Sequence, residues 1–221
     1  YGIMSIYRNV QAIIEDIRAL QPKQEVKILA ATKYADEAAI RELYQAGIRI
    51  IGENRVDELL KKQEILKDLD LSWHFIGSLQ SRKVKRIINR IDALHSLDRL
   101  KLADLIEKYR ETPLDVFVQV NVSGEPTKHG LSVDEVLPFV QHLASYQKIR
   151  VIGLMTMAPF IDDETRIRQT FQTLRALQER VQALSIPNCP CQELSMGMSN
   201  DYKIAIEEGA TIIRIGSKLF Q

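Results

Sequence analysis

Eight times along this chain a short run suited to a β-strand is followed or preceded by a stretch whose apolar residues recur at helical spacing. The strand-type runs are 26–33, 49–53, 73–77, 92–96, 115–122, 150–155, 193–196 and 212–216. The helical patterns between them cover 36–46, 55–67, 81–90, 98–110, 133–146, 162–184 and 200–208. Strands separated by helices pair in parallel through right-handed crossovers, so the pattern predicts an α/β protein built from repeated βαβ units. Eight units fit a closed (β/α)8 TIM barrel better than an open doubly wound sheet, and the G-x-G-x-x-G fingerprint of dinucleotide folds is absent. Ahead of the first strand, Ile6, Val10, Ile13, Ile14 and Ile17 mark an extra amphipathic helix over 3–20. No helical pattern follows the last strand, and this N-terminal helix is expected to cover that outer face. Asp36 and Asp98 are placed to open helices, Ser199 or Asn200 to cap the helix at 200–208, and Gly47 and Gly209 to follow helix ends. With no linker or composition break, residues 1–221 are expected to form one domain.

Barrels of this kind carry their active face at the C-terminal ends of the strands. That rule gathers the polar residues that end otherwise apolar runs. In "KILAATKY" Lys33 closes the first strand, where an unpaired buried ammonium would be strongly disfavoured. Asn54 follows the second strand, His74 lies on the third, His95 and Ser96 end the fourth, and Asn121 ends the fifth. Met155 and Thr156 end the sixth strand, Ser195, Met196, Gly197 and Ser199 follow along the seventh, and Arg214, Gly216 and Ser217 close the eighth. Taken singly, each has an ordinary account: the methionines as soft core filler, the histidines as core residues, Arg214 as the partner of Glu53. Taken together they surround one mouth.

"SMGMSN" and "RIGS" place glycines and hydroxyls directly after strands seven and eight, where barrels commonly bind phosphate. Lys33 is expected on the opposite side of the mouth. A lysine near other cations can attack a carbonyl as its neutral amine, so a phosphate anchor and a Schiff-base lysine describe a pyridoxal 5′-phosphate pocket. The same parts suit a Schiff-base aldolase with a phosphorylated substrate. Arg214, on the strand beside the phosphate loop, favours the first, because a cation there disfavours protonating a pyridine nitrogen.

Composition excludes more than it selects. The chain has 30 Lys plus Arg against 29 Asp plus Glu, so no global field draws it to nucleic acid or to anionic membrane. No apolar run approaches the length of a membrane span. Cys189 and Cys191, one residue apart and without a nearby histidine, make a poor zinc site and an awkward disulfide, and are read as reduced thiols of a cytoplasmic protein.

The segments "AATKY", "GENRVDE", "WHFIGSLQSRK", "KHGL", "GLMTM", "LSMGMSNDY" and "RIGSKLF" run in order from Val26 to Phe220 and resemble the pyridoxal-phosphate homeostasis proteins, single-domain relatives of the alanine racemase N-terminal barrel. The resemblance implies pyridoxal 5′-phosphate held covalently on Lys33 as an internal aldimine. It implies that Asn54 and His74 line the pocket, that Ser199, Gly216 and Ser217 hold the phosphate, that Arg214 faces the pyridine nitrogen, and that Met155 or Met196 contacts the ring. "RIGS" has serine where threonine is frequent in the family, which keeps the hydroxyl. The implied function is vitamin B6 homeostasis and amino-acid and keto-acid balance, without robust catalysis, by a monomer whose candidate recipients are pyridoxal-phosphate-dependent apoenzymes. An amino-acid racemase is the alternative, but alanine racemases take their second base from a tyrosine of a β-rich domain. Tyr34 and Tyr202 are the nearest substitutes here.

Overall fold

The computed structural model describes residues 3–126 and 128–221. Eight parallel strands close into a barrel in chain order: β1 (Lys27–Ala31), β2 (Ile50–Glu53), β3 (Ser72–Phe75), β4 (Ala93–Leu97), β5 (Leu114–Gln119), β6 (Ile149–Met155), β7 (Glu193–Ser195) and β8 (Ile212–Ile215). The helices are α1 (Ile3–Leu20), α2 (Glu37–Gln45), α3 (Val56–Ile65), α4 (Val84–Ile87), α5 (Leu100–Tyr109), α6 (Val136–His142), α7 (Glu164–Gln182) and α8 (Tyr202–Glu207). The strands read as near-continuous apolar runs because both of their faces are covered.

Strand alternation sorts these runs into two cores. Leu29, Phe117, Met155 and Ile212 fill the lumen, with Ala31, Ile50, Ile76 and Ile152 packed against them. Their neighbours along each strand, such as Ala30, Ile51, Leu194 and Ile213, join the larger shell between strands and helices. Helix α7 shows the shell's logic: Ile167, Phe171, Leu174, Leu177 and Val181 are buried along one stripe, and Asp163 caps its start by accepting from the Arg166 amide at 3.3 Å.

Closure comes from β1 pairing with β8, with Leu29 opposite Arg214 and Ala30 opposite Ile215. Helix α1 packs on α2 and α8 and so fills the ring beside β8. Asn9 Nδ2 donates to the carbonyls of Leu219 (2.9 Å) and Gln221 (2.8 Å), tying α1 to the end of the chain. Asp36 caps α2 through the Ala39 amide at 2.9 Å, and Gly47 and Gly209 take positive φ after helix ends.

Several boundaries differ from expectation, three of them at helix starts. The N-cap of α5 is Arg99, and Asp98 pairs with its guanidinium at 2.9 Å. The basic run at 81–90 is a 3₁₀ turn, Ser81–Lys83, followed by the single turn of α4. Helix α8 begins at Tyr202 with Asp201 as its N-cap, two residues beyond Ser199. Among the described residues no helix is long and apolar enough to cross a membrane, and no cluster of three metal-ligating side chains occurs.

Candidate functional site at the mouth of the barrel

Strand β1 ends at Ala31, so Lys33 stands not in a buried strand but in an exposed turn at the rim. There the ammonium keeps its water, which removes the objection to a lysine after a buried run. Leu29 and Ala31 belong to the lumen, and Lys33 follows two residues past the end of this strand. Its Nζ lies 5.1 Å from the Tyr34 ring centroid.

The turn bearing Lys33 is held from behind. The Thr32 carbonyl accepts from the Ala35 amide at 3.0 Å and from Lys62 Nζ at 2.7 Å. Lys62 also pairs with Glu53 at 2.9 Å, and the Thr32 hydroxyl donates to the same Glu53 oxygen. Thr32, Glu53 and Lys62 are all buried, on the outer face of β1 and β2. Glu53 is thus the partner of Lys62, not of Arg214.

Because the barrel closes through β1 and β8, Lys33 lies beside the strand-eight loop rather than across the mouth from it. Gly216 approaches Ala31 closely enough that an added Cβ would lie 3.6 Å from the Ala31 Cβ and carbonyl oxygen. Ser217 opens the 3₁₀ turn Ser217–Leu219, and Ser199 Oγ accepts from the Lys218 amide at 3.3 Å, which joins the loops after β7 and β8. Gly197, at φ +102°, makes the first of these loops possible: a Cβ there would meet Ala205 Cβ at 2.7 Å. Its carbonyl accepts from the Arg214 amide at 2.9 Å, and Asp201 Oδ1 accepts from the Met198 amide at 2.7 Å. The turns that carry Ser199 and Gly216–Ser217 are therefore joined to each other, at the end of the strand that pairs with β1.

Asn54, half-buried one residue past β2, faces the mouth from the adjoining wall: Gly52, two residues before it, abuts the lumen residues Leu29 and Ile76. Gly77 lets the next loop pack on its backbone, since a Cβ would fall 2.5 Å from the Asn54 carbonyl oxygen. Asn54 Oδ1 is buried with no hydrogen-bond partner.

Below the rim the lumen is polar along one path. Arg214 Nη1 donates to Ser195 Oγ at 2.6 Å and Nη2 to the Thr156 carbonyl at 3.1 Å. Ser195 Oγ lies 2.8 Å from His95 Nδ1, His95 Nε2 lies 2.8 Å from His74 Nδ1, and His74 Nε2 lies 3.1 Å from Ser72 Oγ. The His95 ring stacks on Phe117 with centroids 4.2 Å apart. The β4–β5 ladder shifts register between Leu94 and Leu97, an irregularity of the kind that re-aims a side chain, and His95 lies within it. Burial lowers the His74 pKa to about 4, with a smaller push from the Lys27 charge. Burial also holds His95 well below the ordinary imidazole range, followed by the charges of His74 and Arg214. Arg214 itself is lowered to about 10 by burial, opposed by Asp201. At neutral pH the path holds one cation and two neutral imidazoles.

Of the expected residues, the fold brings Lys33, Asn54, Ser199, Gly216 and Ser217 to the rim, with Met155 and Arg214 in the lumen below them. His74 is buried and both its ring nitrogens are already bonded inside the barrel, so it offers the mouth no free polar atom. Met196 departs from expectation: it is fully buried in the shell, because Ser195 before it points into the lumen and alternation turns Met196 outward. Tyr202 is also turned away, its hydroxyl donating to Asp16 on α1. Unforeseen were Lys62 and the joining of His74, His95 and Ser195. The signal for Lys62 was a lysine on the stripe of Leu59 and Leu66; for the path it was polar residues inside apolar strands, as in "WHF" and "IIRI".

Such a mouth offers a primary amine, hydroxyl donors in a glycine turn for an anionic group, an unpartnered amide oxygen, and a buried guanidinium for an acceptor. Residues 6–221 match the family model described as the alanine racemase N-terminal domain. The pyridoxal phosphate homeostasis protein of Aquifex aeolicus is 44% identical over 206 residues, covering 92% of this chain and 90% of that protein. That of Pasteurella multocida is 34% identical over 224 residues, covering 99% and 95%. The structure of PipY from Synechococcus elongatus with pyridoxal phosphate bound superposes with a TM-score of 0.87 at 33% identity, covering 98% of this chain and all of that one. On its fold, its match to the racemase-domain model and its identity to these relatives across nearly their full length, the chain belongs to the pyridoxal phosphate homeostasis protein family.

Proposed function

We propose that this chain binds pyridoxal 5′-phosphate at the barrel mouth, covalently through Lys33, and acts in vitamin B6 homeostasis as a holder of the cofactor that influences amino-acid and keto-acid balance. The observation that carries the reading is the joining of the Ser199 and Gly216–Ser217 turns after β7 and β8, with Arg214 buried on β8, beside β1, the strand that Lys33 follows. The orphaned Asn54 Oδ1 supplies an independent sign of fit, since a buried acceptor without a partner is the kind of group a polar ligand satisfies. When bound, the cofactor supplies an electrophilic aldehyde and a ring that can withdraw electrons.

The remaining chemistry belongs to the chain. Ser199 and Ser217 donate to the anionic phosphate, and Gly216 lets backbone N–H groups come near it. Arg214 is all donor, so it favours an unprotonated ring nitrogen and weakens the ring as an electron sink. That suits holding better than turnover. The tyrosine geometry agrees: Tyr202 is bound to Asp16, and Tyr34 is 86% exposed. Met155 stays in the proposed site as an apolar floor, and Met196 does not. Cys189 and Cys191 are free and buried, in keeping with a reducing, cytoplasmic setting, and we take the acting form as a monomer that passes cofactor to apoenzymes.

Reconstitution with pyridoxal 5′-phosphate tests this. The wild type is expected to gain a visible absorption band that Lys33→Ala lacks, with weak phosphate-dependent binding persisting in the variant. Borohydride reduction and peptide mapping should place the adduct on Lys33. An adduct on Lys203 or Lys218 would overturn the assignment, and rapid Cα–H exchange of alanine in deuterated water, lost in Lys33→Ala, would overturn holding in favour of racemisation.

A further inference from the structure

The path through the lumen has a direction, and hydrogen-bond capacity sets it. A guanidinium only donates, so Ser195 Oγ accepts from Arg214 Nη1. Ser195 has one proton of its own, and its other partner is His95 Nδ1. If that proton points at Nδ1, every group along the path is satisfied. His95 then carries its proton on Nε2 and donates to His74 Nδ1, and His74 carries its proton on Nε2 and donates to Ser72 Oγ. In the reverse direction Ser195 would accept twice and its own hydroxyl proton would be left buried without a partner, an arrangement folded proteins avoid. We propose that Ser195, His95 and His74 form a one-way hydrogen-bond relay that positions the Arg214 guanidinium for the ligand at the mouth, with His95 and His74 as positioning residues that themselves touch no ligand.

The geometry gives the relay a purpose beyond packing. Arg214 has a long side chain with much rotamer freedom, and the Thr156 carbonyl alone fixes only one of its edges. Ser195 fixes a second, and the relay in turn fixes the Ser195 hydroxyl by giving its proton a single acceptor. The stack of His95 on Phe117 holds the ring plane. Without His95, Ser195 could rotate and donate elsewhere, and the guanidinium would lose a defined direction while remaining buried and charged.

The inference rests on the cofactor reading for what Arg214 meets, but its first test needs no cofactor. In cofactor-free protein, nitrogen NMR of the histidines is expected to show both His74 and His95 as Nε2–H tautomers, and the Arg214 Nη protons as resolved, slowly exchanging signals. An Nδ1–H tautomer at His95 would overturn the direction. In Ser195→Ala and His95→Phe the Arg214 signals are expected to broaden or merge, with unchanged signals overturning the positioning role. The second test measures pyridoxal 5′-phosphate binding. Ser195→Ala and His95→Phe should weaken it about tenfold and shift the visible band, while Ser195→Thr, which keeps the hydroxyl, stays within about threefold of wild type. Equal losses in Ser195→Ala and Ser195→Thr would reduce the relay to a packing feature. Failure of the wild type to bind the cofactor would sink the cofactor reading alone, because the NMR result stands by itself. If His95→Phe does not fold, the wild-type tautomers and the two Ser195 variants still decide the matter.

Discussion

Two buried polar groups flank this mouth, one on each side of the barrel wall, and they differ in charge. Outside β1 and β2, Lys62 and Glu53 form an ion pair at 2.9 Å that grips the Thr32 carbonyl, the backbone just before Lys33. Inside, Arg214 is held by Ser195 and the two imidazoles, and apart from the guanidinium that path is neutral. The outer pair holds backbone, so its removal should act first on stability. The inner relay holds one side chain and should act first on the ligand. Charge sets the scale: taking one partner from a buried ion pair leaves an uncompensated charge, whereas loosening a neutral relay leaves only unmade hydrogen bonds.

Breaking the outer pair gives the largest expected effect. Lys62→Met strands the Glu53 carboxylate, whose Oε1 already lacks a partner, in the shell. A loss of about 3–5 kcal/mol is expected, on the order of 10 °C in Tm for a chain of this size. Glu53→Gln combined with Lys62→Met should recover part of that loss in thermal melts, and simple additivity of the two changes would show that the pair does not act as a unit.

Acid tests the inner relay. A histidine held neutral in the fold binds its proton more readily when unfolded, so between the unfolded pKa and the folded one the unfolded state carries more protons and stability falls as pH falls. With His74 lowered from 6.5 to about 4, the loss runs over that interval and reaches about 2 kcal/mol at pH 5. His95, lowered by the same burial, adds to it in the same direction. Urea titrations at pH 7.5 and pH 5 should show the loss, and His74→Gln should shrink it. An unchanged pH dependence in that variant would mean that the titrating group lies elsewhere.

The two groups also differ in how far the sequence discloses them. All eight strands could be placed because a strand covered on both faces is apolar throughout, and the polar interruptions His74, His95, Ser195 and Arg214 stood out against that background. What could not be read was their contact: His95 and Ser195 are 100 residues apart and meet only because the barrel closes. Closure also sets a neighbour relation that linear order hides: joining β1 to β8 brings Gly216 against Ala31, two residues before Lys33, so the strand-eight loop is on the same side of the mouth as Lys33. Alternation would have turned Met196 outward once Ser195 was taken as inward. Lys62 was hidden for the opposite reason, as one lysine among several on an otherwise ordinary amphipathic helix. The cap at Asp98 failed because its carboxylate found a guanidinium next door, a choice that local propensity does not encode.

The rim completes the comparison with the smallest expected effect on stability. Among the described residues the Ser199 hydroxyl makes one hydrogen bond, a 3.3 Å acceptance from the Lys218 amide, which is long for such a bond, and Ser217 is exposed. Neither hydroxyl is needed to satisfy a buried group, so Ser199→Ala and Ser217→Ala should each change the unfolding free energy of the cofactor-free protein by less than about 1 kcal/mol. Their expected work is with the ligand. A hydrogen bond to a charged phosphate oxygen is worth about 1.5–3 kcal/mol, so each variant should weaken pyridoxal 5′-phosphate binding by roughly 10- to 100-fold while leaving attachment at Lys33 possible when cofactor is resupplied. Dialysis followed by visible spectra measures retention, and urea unfolding measures stability on the same samples. Unchanged retention in the double variant would remove the phosphate from these turns. A large loss of stability would instead move the two serines into the same class as Lys62 and Glu53, as parts of the scaffold.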